Sequence, residues 1–269
     1  MARIIAIANQ KGGVGKTTTA INLSACLAEK NRKTLTVDID PQGNTTSGLG
    51  INKNKLENTM YEMFLGECTI EECRIISDID NLHILPSNVN LSGAEIELIG
   101  VEDREYILKK HIDQISDEYD FIIIDCPPSL NVLTVNALTT ASTVLVPIQC
   151  EFYALEGLTQ LMYTINLVKE RLNPSLEMEG VVFTMYDART NLSLEVVENV
   201  KVNLNQNIYK TIIPRNVRLA EAPSHGLPIN LYDPKSSGAE GYRQLAMEVI
   251  ENDEEERYKK SEVQEIKFR

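Results

Sequence analysis

Two lysines, three glycines and two threonines are packed into Lys11-Gly12-Gly13-Val14-Gly15-Lys16-Thr17-Thr18, and their order suits one kind of chemistry. Glycines let backbone N–H groups turn inward on an anion, and a helix starting just afterwards adds partial positive charge at its N-terminus. The ending Gly15-Lys16-Thr17 fits a phosphate-binding loop. In such a loop the lysine reaches the β- and γ-phosphates of a nucleotide and the threonine hydroxyl holds Mg²⁺. One position departs from the general pattern. A glycine is expected five residues before Gly15, and Gln10 stands there. The chain carries instead an additional lysine, Lys11, ahead of Gly12-Gly13.

Phosphoryl transfer to water also needs metal-binding and water-positioning groups. Three aspartates qualify. Asp125 closes the apolar run Phe121-Ile122-Ile123-Ile124 and precedes Cys126-Pro127-Pro128, so it is expected to bind Mg²⁺ directly or through water. Asp38 and Asp40 open the loop Asp38-Ile39-Asp40-Pro41-Gln42-Gly43-Asn44. Asp38 is expected near the metal. Asp40, one step further into the loop, is the candidate for orienting or deprotonating the attacking water. The plainer role for both is capping a turn.

These groups need a scaffold that gathers them. The apolar run Ile4-Ile5-Ala6-Ile7-Ala8 predicts a strand before the loop, and apolar spacing over 18–29 predicts a helix after it. Further strands are expected at 34–37, 82–86, 121–124, 143–147, 180–184 and 210–214. Helices are expected at 103–115, 132–141, 155–172, 194–204 and 239–250, with loops and short helices over 45–80. Strands alternating with helices imply an α/β fold, a mostly parallel doubly wound sheet flanked by helices. In such sheets sites lie at the carboxyl ends of strands. Every residue singled out above falls just after a predicted strand. Residues 1–250 are expected to form one domain, followed by a charged tail over 251–269 that reads as a solvated helix extension or as disordered.

Composition narrows the classes. A chain of 269 residues, 43% hydrophobic and 24% charged, can bury a sizeable core. No run of about 18 apolar residues predicts a membrane span, and no charged and apolar leader opens the sequence. Five scattered cysteines form no metal-binding pair and suit reduced thiols in a cytoplasmic protein. A net charge of −13 argues against nucleic acid taken alone. Between Met185 and Arg243, however, basic residues roughly balance the acids, leaving room for a local basic face.

The segments 11–18, 38–44 and 123–128 resemble the deviant phosphate-binding loop, first switch and metal-binding strand of the ParA/MinD ATPases. The stretches 147–157 and 213–226 are close to the ParA/Soj chromosome-partitioning branch. The resemblance covers about residues 1–250 and departs in the tail. It implies a P-loop NTPase fold, ATP and Mg²⁺ as cofactors, and a homodimer that sandwiches two nucleotides. Lys11 would then act on the partner's phosphates, while Gly12 lies where two backbones approach. Pro214 and Asn216 would contact adenine, with Met185 a weaker candidate. Arg189 and Arg218 match positions that bind double-stranded DNA non-specifically; Lys201 and Arg215 match less well. A ParB-type centromere-binding protein would stimulate hydrolysis, the cargo being chromosome or plasmid, on the nucleoid.

The main competitor is a membrane-positioning ATPase of the MinD type. It would need a basic amphipathic helix at the C-terminus, and Val263, Ile266 and Phe268 supply too few apolar residues among too many acids. Metabolic relatives would need cluster cysteines or a glutamine-using domain. Regulation of a replication initiator is compatible with the same switch.

Overall fold

The computed structural model describes residues 2–151, 154–204 and 206–267. Phe152 and Tyr153, within the 147–157 motif, lie outside the described residues, as does Phe268. The described strands form one sheet: β1 Arg3–Ile7, β2 Thr34–Asp38, β3 Ile75–Ile76, β4 Leu82–Leu85, β5 Phe121–Asp125, β6 Thr143–Gln149, β7 Glu177–Tyr186 and β8 Ile208–Pro214. Their order is β3-β4-β2-β5-β1-β6-β7-β8. Neighbours are parallel except β3, which runs against β4. The longer helices are α1 Lys16–Glu29, α2 Ile107–Ile115, α3 Val132–Thr140, α4 Ala154–Arg171, α5 Asn191–Asn203 and α6 Ser237–Lys267.

Continuous apolar runs make the central strands because both faces of the sheet are covered. Successive side chains point to opposite faces. Ile5, Ile7, Phe121, Ile123 and Leu145 accordingly pack with Leu23 and Leu27 of α1 and with Tyr242 and Leu245 of α6. Ile4, Ala6, Ile122, Ile124, Val144 and Val146 face the other way, toward Leu108 and Ile112 of α2 and Leu133 and Leu138 of α3. Each fully buried aliphatic side chain of this kind contributes about 2 kcal/mol relative to exposure.

Several short elements escape the periodicity reading, among them β3 and the helices Leu91–Glu97, Val217–Glu221 and Ile229–Tyr232. The expected boundary at 250 falls inside α6, which continues unbroken to Lys267. Its acidic run, largely exposed, also carries ion pairs that composition does not suggest. Arg3 pairs with Glu256 at 3.0 Å and Asp253 at 3.5 Å, and Arg32 pairs with Glu254. Those partners come from the opposite end of the chain, where local sequence cannot show them. Among the described residues no helix is long and apolar enough to cross a membrane.

Candidate nucleotide site

Parallel pairing brings the candidate residues together. β1, β2 and β5 are neighbours, and the register sets Ile7 and Asp38 beside Asp125. The loop leaving β1 therefore emerges next to both carboxylates. Asn9 begins it, giving its side-chain amide to the Pro147 carbonyl at 2.8 Å and accepting from Lys11 N–H at 3.0 Å. Thr184 of β7 fastens the middle of the loop, its hydroxyl donating to the Val14 carbonyl at 2.8 Å. Gly15, the residue before α1, has φ 91, a left-handed conformation that a side chain would strain. The loop and its surroundings line a cleft of about 590 Å³. Gly12, Gly13, Gly15, Lys16, Thr17 and Thr18 form one wall, and Asp40, Pro41 and Gln42 another. Val14 lies behind them, buried.

Lys16 is nearly enclosed, and its ammonium donates to the Lys11 carbonyl at 3.1 Å. Burial pulls it below the ordinary lysine value, opposed by the charges of Asp125 and Asp40. Thr17 gives its hydroxyl to Asp125 Oδ2 at 2.8 Å. Thr45 gives its own to the same oxygen at 2.7 Å. The other oxygen, Oδ1, is buried without a partner. A buried carboxylate oxygen with nothing to accept from is costly, and a cation or its water beside Thr17 would satisfy it. The residues present thus fit Mg²⁺.

Asp38 stands next to Asp125 with its oxygens engaged. Oδ2 accepts from Thr46 N–H at 2.8 Å and Thr46 Oγ1 at 2.7 Å, and Oδ1 from Asp40 N–H at 3.3 Å. Expected beside the metal, it is placed as a neighbour of Asp125 rather than as an open ligand. Burial raises both carboxyls above the usual carboxylate range, and Asp125 adds to the rise at Asp38; the threonine bonds oppose it at each. Asp40 lines the cleft and also caps its own turn, Oδ1 accepting from Gln42 N–H at 2.9 Å. Both roles anticipated for it are therefore compatible.

Beyond Gly15 and Thr18 a second hollow, of about 420 Å³, is lined by Thr184, Met185, Pro214, Asn216 and Tyr242. Pro214 and Asn216 thus line a space that adjoins the phosphate-loop cleft at Gly15, Thr18 and Met185. Met185 borders both spaces with φ 51, an uncommon backbone for a residue with a side chain. Ser92 and Glu95, from the unforeseen helix Leu91–Glu97, complete the cleft wall with Asn131. The side chain of Asn131 donates to Glu95 and caps α3. Thr45, Thr46 and Thr184 were likewise not singled out by sequence reasoning. The threonines at 45 and 46 directly follow the motif 38–44, which was the available signal.

A family model described as an AAA domain matches residues 2–178. The sporulation initiation inhibitor protein Soj of Bacillus subtilis is 54% identical over 252 residues, 94% of this chain and 100% of that protein. The chain belongs to the ParA/Soj family of chromosome-partitioning ATPases. The chromosome-partitioning ATPase Soj of Treponema pallidum is 49% identical over 253 residues, 94% of this chain and 99% of that one. A crystal structure named cobyrinic acid a,c-diamide synthase from Mycobacterium smegmatis, with bound ATP analog and magnesium, superposes with TM-score 0.81 and 39% identity. It covers 91% of this chain and 93% of its own.

Of the other residues implied by the ParA/Soj resemblance, Lys11, Arg189 and Arg218 lie outside the cleft lining. Lys11 points to Glu151, its ammonium 2.7 Å from the carboxylate, and is not part of the cleft lining. A Cβ on Gly12 would meet nothing within 4 Å. Within one chain that position is open, so any steric demand for glycine must come from outside it. Arg189 and Arg218 follow the carboxyl ends of β7 and β8, whose loops are joined by Arg215 N–H donating to the Tyr186 carbonyl at 2.9 Å. Both arginines are already paired: Arg189 with Asp187 at 2.7 Å, Arg218 with Glu221 at 2.8 Å. The Arg189 side chain nevertheless remains 87% exposed.

Proposed function

We propose that this ParA/Soj member is a nucleotide-driven switch. It binds ATP with Mg²⁺, dimerises, and holds double-stranded DNA without sequence preference on the nucleoid of the cytoplasm. Hydrolysis, stimulated by a ParB-type centromere-binding partner, releases it. The observation that carries the reading is the buried Asp125 carboxylate, whose Oδ2 accepts from Thr17 of the phosphate loop while Oδ1 is without a partner.

When bound, Mg²⁺ would neutralise phosphate charge. Thr17 and Asp125 are the groups that would hold it. Lys16 and the backbone of 12–17 bind phosphate charge, and the space at Met185, Pro214 and Asn216 receives adenine. Asp40 accepts a hydrogen bond from the attacking water and orients it. Lys11 leaves Glu151 for the partner subunit's nucleotide, supplying charge in trans as an arginine finger does. Arg189 and Arg218 meet phosphates of DNA.

The test is a gel shift on arbitrary duplex DNA with ATP, ADP or no nucleotide, beside a liposome pelleting control. ATP-dependent retention that falls steeply with salt is expected. Nucleotide-independent DNA binding would overturn the reading, and pelleting with liposomes but not DNA would favour a membrane-positioning role instead. Amide formation from an amine donor would bring forward the activity named for the Mycobacterium structure. Asp40→Ala should give a DNA-bound ATP dimer that hydrolyses poorly; normal turnover would remove Asp40 from its role. Arg189→Glu combined with Arg218→Glu should abolish the shift and keep basal hydrolysis.

A further inference from the structure

Two hydroxyls reach Asp125 Oδ2, and only that of Thr17 belongs to the phosphate loop. The second comes from Thr45 in the helix Asn44–Gly48, on the far side of the loop that carries Asp40. The next residue, Thr46, engages Asp38 through its N–H and hydroxyl, while its hydroxyl accepts from Ser87 N–H at 2.9 Å. Adjacent threonines of one turn therefore each hold one member of the register pair Asp38–Asp125. Both are fully enclosed. The turn is held from below as well. Gly43, just before the helix, has φ 58, and a Cβ there would lie 2.6 Å from the Ser87 carbonyl oxygen. That approach sets the turn that carries Thr45 against the loop after β4.

We propose that Thr45 is a positioning residue for the metal. Its hydroxyl occupies Asp125 Oδ2 and fixes the rotation of the carboxylate. Oδ1 is then the oxygen available to the cation or its water. The same bond ties the turn that follows Asp40 to the metal-bearing strand, so that metal occupancy and the placement of the water-orienting loop are joined through one side chain. Outer hydrogen-bond partners of metal ligands commonly control affinity in this way. The inference rests on the cleft being a Mg²⁺–nucleotide site.

The experiment uses the full chain and a fluorescent ATP analogue, titrated with Mg²⁺ from EDTA. In Thr45→Val the Mg²⁺ concentration for half-maximal analogue binding should rise about tenfold. Binding in EDTA should be unchanged, and Thr45→Ser should restore the wild-type midpoint. A wild-type midpoint in Thr45→Val would overturn the proposal, as would a Thr45→Ser shift equal to that of valine, or equal weakening of Thr45→Val with and without metal. Should Thr45→Val not fold, Thr45→Ala carries the same expectation; failure of both to fold would make Thr45 a structural residue and end the proposal. A wild-type chain whose analogue binding ignored Mg²⁺ would sink the site reading and this inference together. Wild-type dependence that survives in Thr45→Val sinks this inference alone.

Discussion

At the amino ends of the strands, Glu179 of β7 is enclosed and fully engaged. Oε2 accepts from Arg3 at 2.6 Å and from Thr143 at 2.6 Å, and Oε1 from Tyr209 at 2.8 Å. At the carboxyl ends, Asp125 of β5 is just as buried, yet both its hydroxyl partners crowd one oxygen and leave the other alone. The two acids differ in completion rather than depth. A buried carboxylate satisfied by its own protein acts as a fastening. One left half satisfied holds a place for something that arrives later, and the fold carries the cost until it does.

Substituting each acid by its amide tests that contrast. Asp125→Asn should lower Mg²⁺-dependent hydrolysis about 100-fold without lowering the thermal midpoint of the metal-free protein. A large loss of stability would place Asp125 with the fastenings. Glu179→Gln should do the reverse. It should cost about 3 kcal/mol in urea unfolding, because the buried Arg3 charge loses its main partner, while hydrolysis per folded molecule holds. A fall in turnover at constant stability would break the distinction.

Acidity offers a third, smaller probe. In EDTA, Asp125 and Asp38 have folded-state values pushed up to about 6 and about 7, against about 3.9 in an unfolded chain. Between those values the folded state binds protons that the unfolded chain does not. The contribution of these two groups to stability is therefore greatest below pH ~4 and is lost as pH rises through 6 to 7. Urea midpoints measured from pH 5 to 8 should show that component, and Asp38→Asn should flatten it. An identical slope in the variant would remove Asp38 from the account. The smallest effect is expected at Arg32, whose pairing with Glu254 is partly exposed. Arg32→Ala should cost no more than about 1 kcal/mol.

The carboxyl-end chemistry was legible because it is local. Glycine spacing, a lysine and a threonine announce a phosphate loop within eight residues, and apolar runs ending in Asp38 and Asp125 announce the strands beside it. Helix Leu91–Glu97 was not legible: it is short, contains Gly93 and exposes Ile96. Glu95 reaches the cleft through tertiary packing alone. The amino-end fastening was invisible for a different reason. Arg3 and Glu179 have no pattern around them, and only the order of β1, β6 and β7 brings them together. The ion pairs of the acidic run of α6 were hidden on the same grounds, since its partners Arg3 and Arg32 lie far away in sequence.

The reach of Arg3 also has a consequence for synthesis. Arg3 sits in a strand at the centre of the sheet. Its counter-charges lie 176 residues later at Glu179 and 253 residues later at Glu256. Bacterial or eukaryotic translation at about 5–20 residues per second puts the second of these on the order of ten seconds or more behind the first strand. Throughout that interval the nascent chain holds a cation whose place in the interior does not yet exist. The base of the central strand can therefore be closed only after the segment carrying Glu256 has been made.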